Sequence, residues 1–542
     1  MKRNLFLYTI QSVFLILLEI PAGNTASAKP AIGQSISAAE LTAHVAFLSS
    51  PELQGRDAPG LGSRIAERYI AAQFAEYGLS AFDAAPDYYQ QFPLLVSRAD
   101  YCQSRMVVRR AEQTWEFEPN RQMFFFPRGG TDGDITAPVL LAGYGIRAPE
   151  FNYDDFRGAD PGGKFLLIFN REPQEQDSAS IFNGARPTKY SNPIVKMRLA
   201  QEVGALGLLI VQPPNNDLPP IEKTLEKHFA DQDREILQLA DHTEAFPVMY
   251  LKPEAAAALL GTDFDLAAYQ RGIDDRFQPD PRLLSDVFVT LRIRFRNVRM
   301  DSTANIVGWI QGKSNEVIVV LAHHDHIGLE GGRIHFGADD NASGTAGLLS
   351  LAKAFSAERG KLRRGVVFLS TSAEEDGTLG SLYFTRHLPV AADKIVAVVN
   401  LDEIGRDAST QFQAMKDPGI PPEPNSLMIF YSGQSPRLAD VAMEANRDQG
   451  LNLILEPVLH FSGSSDHIHF HDLRIPSIFV FTGFHFDYHK PSDTPDKLNY
   501  EKMTRIVKLT AEMVYQLAQS KQRVTYDSDI QNVAGTGRKY GQ

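Results

Sequence analysis

Four apolar runs in the second half of this chain each end on residues able to bind a cation or move a proton. After "VIVVLA" come His323, His324, Asp325 and His326. After "VVFLSTSA" come Glu374 and Glu375, after "IVAVVNL" come Asp402 and Glu403, and after "SIFVFTGF" come His485, Asp487 and His489. Between the first two runs the loop "FGADDNASG" sets Asp339 and Asp340 ahead of a helical stretch. Eleven of the fourteen histidines lie between His323 and His489, so the enrichment is local rather than compositional.

Adjacent carboxylates such as Glu374 and Glu375 repel one another and lose hydration at the edge of a buried strand, a cost that a bound cation offsets. Each feature alone has a plainer reading. An acidic turn suits a helix start, an Asp before a helix can cap it, and an Asp two residues after a His can satisfy a buried ring. Four strand ends doing this together point to a metal site. On an extended strand His323 and Asp325 share a face while His324 points away. His323 is then a ligand, Asp325 the group that orients its second ring nitrogen, and His324 and His326 structural. Carboxylates plus imidazole without cysteine suit zinc, with manganese or cobalt as substitutes. The surplus of acids suggests two ions bridged by one carboxylate, a spacing that clamps a water. Neither HExxH nor GxSxG at a strand–helix turn is present.

The elements that would position these residues are strands alternating with helices from about residue 300 onward, the signal of an α/β fold with a doubly wound, largely parallel sheet and helices on both faces. Ligands in such sheets bind beyond the carboxyl ends of the strands. We read residues 291–520 as the domain that carries the site and 29–100 as its helical amino-terminal part. Residues 101–290 read as a small inserted β-rich domain, and 521–542 as a disordered tail. Residues 1–28 have the basic start, short apolar stretch and "ASA" end of a secretory signal. Cleavage after Ala28 would give an exported protein, periplasmic or extracellular. The single cysteine, Cys102, allows no internal disulfide. A formal charge of −12 without a basic cluster argues against nucleic acid, and no later run is long enough for a membrane span.

The stretches "AHHDHIG", "GADDNASG", "SAEEDGTLGS", "NLDEIGR", "SSDH" and "DYHKPSDTPDKL" resemble the zinc-dependent aminopeptidases of peptidase clan MH. That group includes bacterial leucyl aminopeptidases, aminopeptidase Y and glutamate carboxypeptidase. The inserted region resembles a protease-associated (PA) domain. The resemblance implies a phosphorylase/hydrolase-like zinc peptidase fold and an exopeptidase acting on peptide or protein N-termini with two zinc ions. It implies that His323 and Asp402 hold one ion, Glu375 and His489 the other, and Asp339 bridges both. Glu374 would be the general base and Asp325 the partner of His323. Glu403 departs from the family pattern, which usually has an apolar Met there; it either touches the substrate amine or sits in a solvated loop, and we favour the loop. His485 is a rival ligand to His489. His467 packs or lines the cleft, and the run Phe479, Phe481, Phe484 and Phe486 is a candidate side-chain pocket or plain core.

Three alternatives stand beside this. A carboxypeptidase would use the same two-metal centre but needs basic residues to grip a terminal carboxylate. A glutaminyl cyclase shares the fold with a single zinc. A binding module with a dead site would lack ligands or base, and none is missing. Oligomeric state cannot be read from these residues.

Overall fold

The computed structural model describes residues 32–540 other than 127–131, 178, 183, 185–187, 221–222, 224, 226–233, 242–245, 408–423, 460–464 and 531–538. The expected signal segment lies outside the described residues.

The strands Val317–His323, Gly365–Thr371 and Ile395–Leu401 are buried at every position, as strands covered on both faces must be. Alternate side chains divide between two cores. Ile318, Val320 and Ala322 join the core under helices Ala38–Leu48, Gly344–Ser356 and Tyr500–Gln519. Val317, Val319 and Leu321 join the opposite core, with Phe384 and Phe470. These strands are central to a ten-stranded sheet. Its order is Ile236–Leu239, Tyr89–Ala99, Phe295–Ile310, Gly365–Thr371, Val317–His323, Ile395–Leu401, Ser477–Phe481, Ser426–Ser432, Asn452–Val458, Lys539–Tyr540.

The four strands from Gly365–Thr371 to Ser477–Phe481 run parallel. Ser426–Ser432 joins them antiparallel but pairs parallel with Asn452–Val458. The other margin is antiparallel. The parallel character expected from the sequence therefore belongs to the centre, and the sheet as a whole is mixed. Val317–His323 has Gly365–Thr371 on one side and Ile395–Leu401 on the other. The connection after Val317–His323 runs to one side and that after Ile395–Leu401 to the other, which opens a crevice between their carboxyl ends.

A second sheet of eight strands is drawn from residues 105–293. It has its own core around Val139, Leu167, Leu209, Met249 and Val289. Strand Arg282–Ile293 lies in this sheet and Phe295–Ile310 in the first, so the chain crosses between them at Arg294. Ile236–Leu239, from the same stretch of sequence, pairs instead with Leu94–Ser97 at the edge of the first sheet. In the tail beyond Lys521, read from sequence as disordered, Val524 is buried and Lys539–Tyr540 pair with Leu453–Ile454. Cys102 is exposed and unpaired. Among the described residues no helix is long and apolar enough to cross a membrane.

Helix Leu379–Arg386 is set close against the end of strand Gly365–Thr371. A Cβ on Gly380 would lie 2.3 Å from the Ser372 carbonyl oxygen and 2.4 Å from Asn305 Oδ1. Gly380→Ala therefore overpacks a backbone contact. We expect it to destabilise the protein by about 1–3 kcal/mol, read as a lower urea midpoint at unchanged slope.

Candidate metal centre

The crevice at the end of Val317–His323 collects the strand-end residues. His323 Nε2 lies 3.2 Å from Asp402 Oδ1 and 3.4 Å from Asp340 Oδ1. On the other side His489 Nε2 lies 3.0 Å from Asp340 Oδ2 and 3.2 Å from Glu375 Oε2. Two triads of donor atoms thus share Asp340, one oxygen to each. Separations near 3 Å between donor atoms are what ligands about 2.0–2.2 Å from one ion require. His323, Asp340 and Asp402 form a group able to hold a cation, as do His326, Asp340 and Glu375.

The sequence reading of Asp339 differs from this arrangement. Asp339, expected to bridge, turns away from both triads. Its Oδ1 accepts the Gly405 N–H at 2.7 Å and its Oδ2 lies 3.4 Å from His485 Nε2. The loop between strand and helix is irregular, so neighbouring residues point to opposite sides. Gly337 begins it at φ 56, where a Cβ would stand 2.5 Å from the His326 ring. Asp493 Oδ2 then takes the backbone N–H groups of Asp339 and Asp340, at 2.9 and 3.2 Å.

Asp402 and Glu375 each have their second oxygen occupied. Ser465 Oγ donates to Asp402 Oδ2 at 2.7 Å, leaving Oδ1 toward His323. His326 Nδ1 donates to Glu375 Oε1 at 2.8 Å, leaving Oε2 toward His489. At 2.8 Å that contact is a hydrogen bond, and it gives His326, expected to be structural, a place beside the site. Burial opposes ionisation of Glu375, yet His489 and His326 hold its carboxyl well below the usual range. Glu374 behaves oppositely. Burial, with Glu375, Asp466 and Asp402 adding to it, pushes its carboxyl well up while His323 pulls it down. Its Oε2 stands 4.0 Å from His323 Nε2, just outside the first triad.

Asp325 holds both glutamates by their backbone. Its Oδ1 accepts the Glu374 N–H at 3.1 Å and its Oδ2 the Glu375 N–H at 3.3 Å. His323 Nδ1 is closer to the Asp325 carbonyl, 3.3 Å, than to its carboxylate, 3.8 Å. His324 points away and meets Ser370 Oγ at 3.0 Å. Burial, with His323 and Arg56 adding to it, lowers His324 to about 3, so it is neutral.

Arg56 went unremarked in the sequence because its role depends on partners some 270 residues away. Fully buried in the "LQGRDAPG" loop, it donates to the carbonyl oxygens of His324, Phe336 and Gly337 at 2.8–2.9 Å, and to that of Leu48. It thereby ties the end of the His323 strand to the start of the Asp340 loop.

Glu403, expected in a solvated loop, is also corrected. It is 4% exposed, and its Oε1 lies 3.4 Å from His485 Nε2. His485, the rival ligand, belongs with Glu403 and Asp339. His467 is buried, stacked 4.7 Å from the Phe479 ring. Phe479 and Phe481 are core, whereas Phe486 is 44% exposed.

Residues 305–514, which carry every residue of both triads, match peptidase family M28. Among curated proteins the chain is 28% identical over 228 residues to leucine aminopeptidase 1 of Sclerotinia sclerotiorum, covering 40% of this chain and 56% of that protein. It is 26% identical over 232 residues to aminopeptidase YwaD of Bacillus subtilis, covering 41% and 46%. The chain thus spans about half the length of the curated relatives it matches. An aminopeptidase from Aneurinibacillus sp. strain AM-1 shares the fold, with a TM-score of 0.51 and 20% identity over 92% of this chain and 97% of that one.

Proposed function

We propose that the protein is an exported zinc metalloaminopeptidase that removes residues from peptide N-termini with a two-metal centre. The observation that carries this is Asp340, one oxygen in each triad, with Glu374 beside them. His323, Asp402 and Asp340 would hold one ion and His489, Glu375 and Asp340 the other. Imidazole with carboxylate suits zinc, with manganese or cobalt able to substitute. Bound there, two divalent ions supply Lewis acidity toward a scissile carbonyl and an attacking water. Glu374, raised by its surroundings, accepts the water's proton and returns it to the departing amine. Asp325 positions it through the backbone. The match of residues 305–514 to peptidase family M28 and the names of the curated relatives support the peptidase reading. The "ASA" segment near residue 28 supports export.

Selection of the amino end is favoured by what surrounds the triads. A carboxypeptidase needs a cation for the terminal carboxylate, and among the described residues Arg56, Arg234 and Arg406 are each paired with protein groups. Arg56 is spent on carbonyls. Arg234 pairs with Asp376 at 3.6 Å, and Arg406 with Asp487 at 2.6 Å.

The primary test is mass spectrometry of an unblocked peptide and its N-acetylated twin incubated with the zinc-loaded protein. Stepwise shortening of the free peptide from its N-terminus, with the twin intact, is the expected outcome. Trimming of both from the C-terminus would overturn the assignment of direction.

Asp340→Asn should leave fewer than two tightly held zinc ions per chain by elemental mass spectrometry after dialysis, because it enters both triads. Asp339→Asn should still take up two at saturating zinc. Glu374→Gln should keep both ions while kcat falls by about 10²–10⁴, measured with a chromogenic aminoacyl anilide.

A further inference from the structure

Asp339, Glu403 and His485 are buried beside the proposed ligands and have no part in the chemistry above. Asp339 Oδ2 and Glu403 Oε1 each stand 3.4 Å from His485 Nε2. The three residues are 0, 4 and 2% exposed. None of these three atoms makes a hydrogen bond of full geometry to any group.

Such a convergence can hold a cation, but the other ring nitrogen argues against one. The Asp487 backbone N–H reaches His485 Nδ1 at 3.2 Å. Nδ1 therefore accepts, and Nε2 carries the ring proton and has no lone pair for a metal. His485 is a donor set between two carboxylates.

We propose that Glu403 and His485 are positioning residues that lock Asp339 and so hold Asp340 where its one carboxylate serves both triads. Asp339 Oδ1 accepts from Gly405, and Oδ2 faces His485 Nε2 at 3.4 Å. The stretch after Asp402 is stitched to the same loop. Asn341 Nδ2 donates to the Leu401 carbonyl at 2.9 Å, and Ser343 Oγ accepts the Ile404 N–H at 3.0 Å. Glu403 itself is held at φ 48, a left-handed conformation rare for its residue type. Its carbonyl accepts from the Thr482 N–H at 3.0 Å and Oγ1 at 2.6 Å. Non-glycine residues kept in that region mark functional constraint. An apolar residue at 403 could not receive the His485 proton. This chain therefore braces its bridging carboxylate through a polar wedge in place of packing.

The proposal rests on the two-ion reading, and the test separates them. The full chain is loaded with zinc, and the rate of zinc transfer to a chromophoric chelator is followed beside elemental stoichiometry. Glu403→Gln, which can still accept from His485, should release zinc within about twofold of wild type. Glu403→Leu should still reach two ions at saturating zinc but release them about 10–100-fold faster, the usual scale for a partner of a ligand. Its kcat should fall more than its KM rises. Release from Glu403→Leu at the wild-type rate would overturn the proposal, as would Glu403→Gln behaving like Glu403→Leu. Three ions in wild type falling to two in Glu403→Leu would overturn it in favour of a third metal site. If Glu403→Leu does not fold, His485→Gln against His485→Ala asks the same question, since glutamine restores an N–H. Fewer than two ions in wild type would instead sink the two-ion reading beneath it.

Discussion

Asp340 places one carboxylate oxygen toward His323 and Asp402 and the other toward His489 and Glu375. The span of a single carboxylate thus sets the distance between two triads carried on elements far apart in the chain. Buried negative charge accumulates around it. Two such charges 4 Å apart repel by about 4 kcal/mol at the effective dielectric of a protein site. The fold holds Asp340, Glu375 and Asp402 together against that repulsion, and the surrounding hydrogen bonds exist to do so.

The means are mostly backbone. Asp325 and Asp493 spend their carboxylates on N–H groups of residues that carry the site. Arg56 spends its cation on carbonyls of the same segments. Three ionisable side chains thus fix main chain, which leaves the ligand oxygens free to face inward. This arrangement also separates Glu374 from Glu375. Adjacent in sequence and clasped by one aspartate, they end in opposite electrostatic environments, Glu375 between two histidines and Glu374 among carboxylates.

Much of this was legible from residue order. Val317–His323, Gly365–Thr371 and Ile395–Leu401 announce themselves as buried strands, and the residues just beyond their carboxyl ends then gather in one crevice. Asp339 and Asp340 could not be told apart that way. The period of two that assigns faces on a strand has no counterpart in an irregular loop. Glu403 looked exposed because its burial is decided by His485, 82 positions further on. The strands Ser426–Ser432 and Asn452–Val458 were missed. They are as long as the three central strands, but the second carries Asn452, Glu456 and Pro457 within it. The antiparallel margins escaped because neither Tyr89–Ala99 nor Phe295–Ile310 is followed by a chemically marked loop.

The short strand Ile236–Leu239 gives the second sheet's stretch of sequence a hold on the first. It caps Leu94–Ser97, and through Tyr89–Ala99 it borders Phe295–Ile310, where the chain returns. Excising residues 101–290 would strip that cover. The exposed amides and carbonyls of Leu94–Ser97 would then form an open edge of the kind that recruits neighbouring chains into aggregates. The stretch of sequence that builds the smaller sheet thus also guards the colloidal behaviour of the larger one.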